Sequence, residues 1–553
     1  ELIEDWIDRV PLTPQSEGDT WRSLEAGLRC EYWLRALKLF EDSPVVTPAL
    51  REKIHQTLLV HGEYLTRKYN HFHELSNWGT LQDHGLFLLG VYFSKEEWIQ
   101  LALKRLDLNI HRSVMADGSQ WEQSPMYHCE VLHAAIDTLQ IARQNAISVP
   151  RRFEQNILQM CQALTAWVTP DGRLLCQSDS DDTNARDILV QGTLLFEDCQ
   201  LKTAAGKDFL EENYWDFGAE KLQQYQEIAG CAEGMASSAL VDSGNYLLRS
   251  NFTEDSGYLH FHCGCMGSGH GHADQLHIDA GIGGEDVLID SGRYTYVDNA
   301  VRKQLKEPAA HNTTRVDNQN FTVCAATWAY TKMAVPMKGQ HSFTVMADAV
   351  EGAHLGYLDQ GVLASRKVVY LKEWNVALIC DRFDTQNNDT HQYEANFHFG
   401  EGQTTLSGHT VHWKGKRAEA VLMALDHNTT QTLHKAPYSR DYNDLQEGDV
   451  LTTSTQQDGF STMLHLLSMD CDGKEHTIIA EKIPVSKIIS GEQLTEQQAQ
   501  AVRIQKDGKE VVILLCHQEL ISAVDMLQAG EYYGYGKTLV FTSELPEGQC
   551  LSW

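Results

Sequence analysis

The sequence predicts two classes of structure in series, a helical N-terminal part and an antiparallel β part that fills the rest of the chain. Three observations predict it. Apolar residues recur at three- and four-residue steps up to about residue 230. After about residue 240 the period falls to two. Between the early runs stand Pro and Gly at positions where helices begin and end. At 553 residues the chain is too long for one ordinary core, and at least two domains are expected. We place them at 1–235 (helical), 236–475 (central β) and 476–553 (small C-terminal β).

In order, residues 21–40 (WRSLEAGLRCEYWLRALKLF) and 50–69 carry the helical spacing, and so do 81–93, 95–114, 126–146, 151–168 and 184–196. Pro125 opens one of these runs, Pro150 precedes another, and TPDGR at 169–173 reads as a turn. Many amphipathic helices joined by short turns imply a layer of helical hairpins rather than a βαβ fold. Residues 245–252, 257–266, 286–292, 366–384, 391–400 and 410–415 then cluster β-branched and aromatic residues between Gly, Asn and Asp turns, as stacked antiparallel sheets do. Residues 510–517 and 537–543 continue as strands.

A formal charge of −31 argues against wrapping nucleic acid, which needs clustered Lys and Arg. No run approaches the eighteen or so apolar residues of a membrane span.

The densest chemistry lies in GSGHGHADQLHID, residues 267–279. If His270 and His272 are extended, their imidazoles point the same way and can share a metal, or divide between metal and substrate. A polar turn with solvated histidines is the alternative. Asp290 ends an apolar run and His311 sits in EPAAHNTTRVD. With His272 they form a His, Asp, His set suited to Zn²⁺. Taken singly, Asp290 reads as a turn residue and His311 as a surface histidine. Tyr127, just after Pro125, falls in the first turn of a helix, where terminal N–H groups favour anionic character and proton transfer; otherwise it is an ordinary amphipathic tyrosine. Asn77 could cap a helix or bind a carboxylate, and Trp78 could offer a sugar-stacking face. SDSDDTNARD at 178–187 invites a calcium reading but lacks the central Gly and terminal Glu of an EF-hand; it reads as a solvated loop and helix cap.

HGHADQLHIDAGIGGEDVLIDSGRYTY followed by AAHNT, with DGSQWEQSPMYH and SNWGTLQDHG upstream, resembles the heparinase II/III superfamily of polysaccharide lyases. The resemblance implies an N-terminal (α/α) toroid followed by antiparallel β-sandwich domains. It also implies β-elimination on anionic, uronic-acid-containing polysaccharides such as heparan sulfate, hyaluronan or chondroitin. Asn77 resembles the amide that neutralises the uronate carboxylate. Tyr127 resembles the tyrosine that acts as acid, or as base and acid, and His270 the catalytic histidine. His272, Asp290 and His311 resemble the metal set, with Zn²⁺ in a mainly structural role. Several relatives, notably alginate lyases, carry a histidine after the amide where this chain has Trp78, which leans the reading toward the heparin-sulfate-lyase type. Trp78, Gln123, Arg293 and Arg302 are the expected substrate contacts, the two arginines supplying local positive charge. His398 reads as a satisfied strand histidine. Two rivals stand: a metal-dependent hydrolase, because HGHADQLH approaches an HxHxDH signature, and a non-catalytic carbohydrate-binding protein on the same scaffold. The resemblance leaves a homo-oligomer open. Thirteen cysteines without metal-finger spacing read as reduced thiols and point to the cytoplasm; a periplasmic or secreted enzyme with its leader removed is the alternative.

Overall fold

The structure, a computed structural model, describes residues 1–231, 235–518 and 525–552. It divides into two compact units. The first comprises residues 1–122, 126–165 and 185–230, and the second 123–125, 166–184 and 231–553. Among the described residues no helix is long and apolar enough to cross a membrane.

The first unit is helical. Its anticipated helices form as Ser23–Leu39, Pro48–Arg67, Asn77–Tyr92, Glu96–Ser113, Pro125–Gln144, Arg151–Trp167 and Arg186–Phe196. Pro125 occupies the first turn of its helix, where a missing N–H costs nothing. Short helices at Cys199–Ala205, Glu211–Phe217 and Glu220–Glu227 were not legible in the sequence, since segments of two turns carry little periodicity. Helix Asn77–Tyr92 is buried along nearly its whole length, as a helix apolar on most sides must be. It lies tight against Ser23–Leu39. A Cβ on Gly85 would meet the Gly27 carbonyl oxygen at 2.5 Å, and one on Gly27 would meet the Leu81 carbonyl oxygen at 2.3 Å.

The consecutive polar residues Gln82, Asp83 and His84 of that helix are buried with partners. Gln82 Nε2 donates to the Leu65 carbonyl at 3.0 Å, Asp83 pairs with Arg105 at 3.3 Å, and His84 Nε2 meets Asp137 at 2.7 Å. Burial alone would lower the His84 pKa, but the hydrogen bond and charge of Asp137, then Glu31, hold it above its ordinary value. Burial would raise Asp137, and His84 more than offsets that. The His84 contribution is therefore complete below about pH 6.5 and lost as pH rises through its raised pKa, while that of Asp137 is present above about pH 4 and lost as pH falls through its lowered one. Asp137→Asn is expected to cost about 3 kcal/mol at pH 6, with the difference shrinking by pH 9, as urea denaturation at the two pH values would measure.

The second unit is built of antiparallel sheets. A five-stranded meander runs Ser238–Leu240, Asn245–Arg249, Tyr258–His262, His277–Ile282 and Glu285–Leu288. Its Tyr246, Leu248, Leu259, Phe261, Ile278 and Ala280 share a core with Val350, Val368 and Ile379 of an eight-stranded sheet. Strand alternation then puts Asn245, His260, His262, His277 and Asp279 on the opposite face of the meander. The register sets His260 across from Asp279 and His262 across from His277. The far side of the eight-stranded sheet packs on a C-terminal sheet through Val369, Leu378, Ile504 and Ile513. That sheet contains Lys509–Cys516 and Thr538–Thr542, the two late strands expected from the sequence.

The expectation of reduced thiols throughout is corrected at two positions. Cys199 and Cys231 are disulfide-bonded, and the other eleven cysteines are free.

Candidate functional site

In the second unit the site is organised by Asp179, a fully buried residue of the turn after helix Arg151–Trp167. Arg302, from helix Ala300–Leu305, grips its carboxylate with both terminal nitrogens, at 2.6 and 2.7 Å. His272 Nε2 meets Oδ1 at 2.9 Å and His270 Nδ1 meets Oδ2 at 3.1 Å. Burial would raise the Asp179 carboxyl, but Arg302, then Lys306 and the two histidines, hold it well below the usual range. SDSDDTNARD is thus not a solvated loop at its start: Ser178, Asp179 and Ser180 are all buried. The sequence signal for this role was weak, since nothing in a run of acids marks which one turns inward.

His270 and His272 do not lie on a strand, because the segment turns at Gly269 and His270. Their imidazoles nevertheless converge on one carboxylate. His270 keeps part of its ring exposed, with 16% of the side chain accessible, beside the edges of Trp328 and Tyr296 at 5.1 and 5.9 Å. His272 is fully buried. Lys306 Nζ donates to the Gly269 carbonyl at 2.6 Å and fastens the turn from the other side.

His272, Asp290 and His311 offer one ligand atom each within 4.8 Å of one another, and all three are buried. The fit to a cation is chemical as well as geometric. His272 Nδ1 and His311 Nε2 are buried ring nitrogens without a hydrogen-bond partner, a costly state that coordination would relieve. Burial, against Asp179, pushes the His272 pKa down to about 4, so its ring is neutral as a ligand must be. The second nitrogens are oriented by carboxylates, His272 by Asp179 and His311 Nδ1 by Asp290 at 2.8 Å. Two imidazoles and a carboxylate suit Zn²⁺. Metal content measured after dialysis is expected to fall to background in His272→Ala and His311→Ala; an unchanged content would exclude the triad as the binding set.

The other polar residues of the 267–279 segment and their neighbours are extensively bonded. The Asn312 N–H donates to His277 Nδ1 at 2.9 Å, and Nε2 of the same ring lies 3.0 Å from Asp279. Asp279 also holds His260 at 3.0 Å, and His260 reaches Asn245 at 2.9 Å. Asn245 Nδ2 donates to Gln123 Oε1 at 3.4 Å, so the buried Gln123 belongs to this network. Arg293 is bidentate on Asp181 and lies over Tyr442 at 4.8 Å. Both arginines expected at the substrate thus have carboxylate partners inside the unit, and Arg302 has no exposed surface. His398 is buried on strand Thr390–His398, with Nε2 3.1 Å from the Ala309 carbonyl.

In the first unit, Ser76 rather than Asn77 caps helix Asn77–Tyr92. The Asn77 amide is left to donate to Glu130 at 3.1 Å. Glu130 stands three residues beyond Tyr127 on helix Pro125–Gln144, on the same face. Tyr127 is 7% exposed in the first turn. Trp78 is half-buried, with the Arg22 guanidinium over its ring at 5.3 Å and Phe72 at its edge at 5.9 Å.

The model "Heparinase II/III N-terminus" matches residues 2–198 and "Heparinase II/III-like, C-terminal" matches 232–505. A heparin-sulfate lyase of Pedobacter heparinus is 26% identical over 338 residues, 58% of this chain and 48% of that protein. One from Bacteroides stercoris is 22% identical over 361 residues, 57% of this chain and 49% of that protein. The chain therefore spans about half the length of the curated relatives it matches. The crystal structure of a heparan sulfate lyase from Pedobacter heparinus aligns with a TM-score of 0.67 at 18% identity, over 94% of this chain and 78% of that one, a likeness of fold. With both of its domain models matched in order over most of its length, the chain belongs to the heparinase II/III family.

Proposed function

We propose that the protein is a polysaccharide lyase that cleaves a glycosaminoglycan by β-elimination, with Asn77, Tyr127 and His270 as its working residues. Family membership and two relatives named heparin-sulfate lyase support it. The observation that carries it is the Asn77 amide held on Glu130, one helical turn from Tyr127. A uronate C5 proton is too weakly acidic to lose while the neighbouring carboxylate is ionised. The Asn77 amide is a donor of the kind that neutralises that carboxylate and stabilises the enolate that develops. Tyr127 transfers protons, giving one to the leaving glycosidic oxygen and, in the fuller version of its role, first accepting the C5 proton. His270, its Nδ1–H directed at Asp179, presents Nε2 as the acceptor end of the ring. His272, Asp290 and His311 would hold Zn²⁺, which when bound supplies a fixed positive charge that ties three segments of the β unit together. In this reading the helical unit is an (α/α) toroid, and the packed meander and eight-stranded sheet form the β-sandwich.

The test is a panel of uronic-acid polysaccharides followed by ultraviolet absorbance. A lyase generates the absorbance of an unsaturated uronate, while reducing ends without it would mean hydrolysis. Binding without either product would mean a carbohydrate-binding protein, and both outcomes would refute the proposal.

A further inference from the structure

On the side of the eight-stranded sheet that faces the C-terminal sheet, the strands Ala347–His354, Val362–Leu371 and Val376–Thr385 change character at one level. Ala347 and Ala349, Leu371 and Val369, and Val376 and Leu378 pack into the core. Farther along the same face come Glu351, Lys367 and Arg382 instead. Register aligns them, with Lys367 opposite both Glu351 and Cys380, and Arg382 opposite Ser365. The apolar packing stops there and a cleft of about 230 Å³ opens, lined also by Lys338, Lys537 and His517. It adjoins a second cavity of about 360 Å³ that shares Glu351 and Lys367 with it.

Four cations therefore line one small cleft in a chain of net charge −31. Glu351 pairs with Lys367 at 3.1 Å, and Arg382 is held by Asp384 at 2.7 Å. Lys338 and Lys537 are exposed, and among the described residues neither has a carboxylate in ion-pairing range. The potential is felt by the buried His517, whose pKa burial, then Arg382 and Lys367, push down to about 3. The histidine-bearing face of the meander lies beyond two sheets and their shared core, so the cleft is separate from the site described above.

We propose that this cleft is a second binding site for an anionic saccharide unit, with the lysines and Arg382 receiving a sulfate ester or uronate carboxylate. Lysines act there as point charges and Arg382 as a planar fork. The choice of a saccharide, rather than a free oxyanion, rests on the lyase reading.

The experiment titrates a size-defined, sulfated, uronate-containing tetrasaccharide into Tyr127→Phe protein, which should not consume it, by calorimetry at low salt. Two sites are expected. Adding Lys338→Gln and Lys537→Gln, both at exposed positions, should weaken the second by about tenfold or more, and Lys367→Gln with Arg382→Gln should remove it. In an otherwise wild-type protein, Lys338→Gln with Lys537→Gln should turn over the tetrasaccharide within about twofold of the parent. A single site, or a second one insensitive to these variants, would overturn the proposal. Inorganic sulfate binding there as tightly as the tetrasaccharide would overturn the saccharide assignment. If no polymer yields an unsaturated product while the second site still titrates, the lyase reading fails and the cleft stands. If the enzyme is active and the second site is missing, the cleft alone fails.

Discussion

Tyr127→Phe is expected to reduce formation of unsaturated product by about 10²- to 10⁴-fold with little change in KM or thermal midpoint. The ring is 7% exposed and packed in the first turn of helix Pro125–Gln144. Phenylalanine keeps that ring and removes only the oxygen that would carry the proton. A loss confined to kcat is what removal of a transition-state interaction gives, whereas a rise in KM alone would mark a ground-state contact. Asn77→Ala provides the contrast. It removes the amide and leaves Glu130 without that donor, so it should lower kcat and also cost about 1 kcal/mol of stability. Near-wild-type turnover by Tyr127→Phe in stopped-flow absorbance would eliminate the tyrosine as the proton-transfer group.

Much of this organisation was legible in the sequence, for reasons that differ by residue. Helices such as Ser23–Leu39 and Glu96–Ser113 announce themselves because one face must meet the core. His272, Asp290 and His311 lie in motifs dense enough to be noticed, and the fold gathers them. Asp179 was hidden because its importance depends on a turn that buries one acid of several, and on an arginine 123 positions away. Arg293 and Arg302 looked like substrate cations because a basic loop does not reveal its partners. Their partners, Asp181 and Asp179, belong to that same acidic run. Cys199 and Cys231 could not be told from the other cysteines, since spacing alone does not fix which thiols pair.

Asp179→Asn is the second large expectation, and it separates positioning from simple support. The buried carboxylate satisfies two imidazoles and both ends of the Arg302 guanidinium. An asparagine has one acceptor oxygen and no charge, which leaves a cation uncompensated in the interior at a cost of about 3–5 kcal/mol. Two further losses should follow. His272 loses the partner that orients it, so metal affinity should fall about 10- to 100-fold. His270 loses the acceptor that fixes its tautomer, so turnover should fall beyond what metal resupply restores. Pairing the change with Arg302→Gln distinguishes the causes, because the second substitution removes the stranded charge. If Asp179 acts only by holding the fold, the double variant should recover stability and activity together. If it positions the two histidines, stability should return in a denaturant melt while turnover at saturating Zn²⁺ stays low, a coupling that a double-mutant cycle reads directly. Recovery of turnover in parallel with stability would reduce Asp179 to a structural ion pair and would leave His270 without its proposed orienting group.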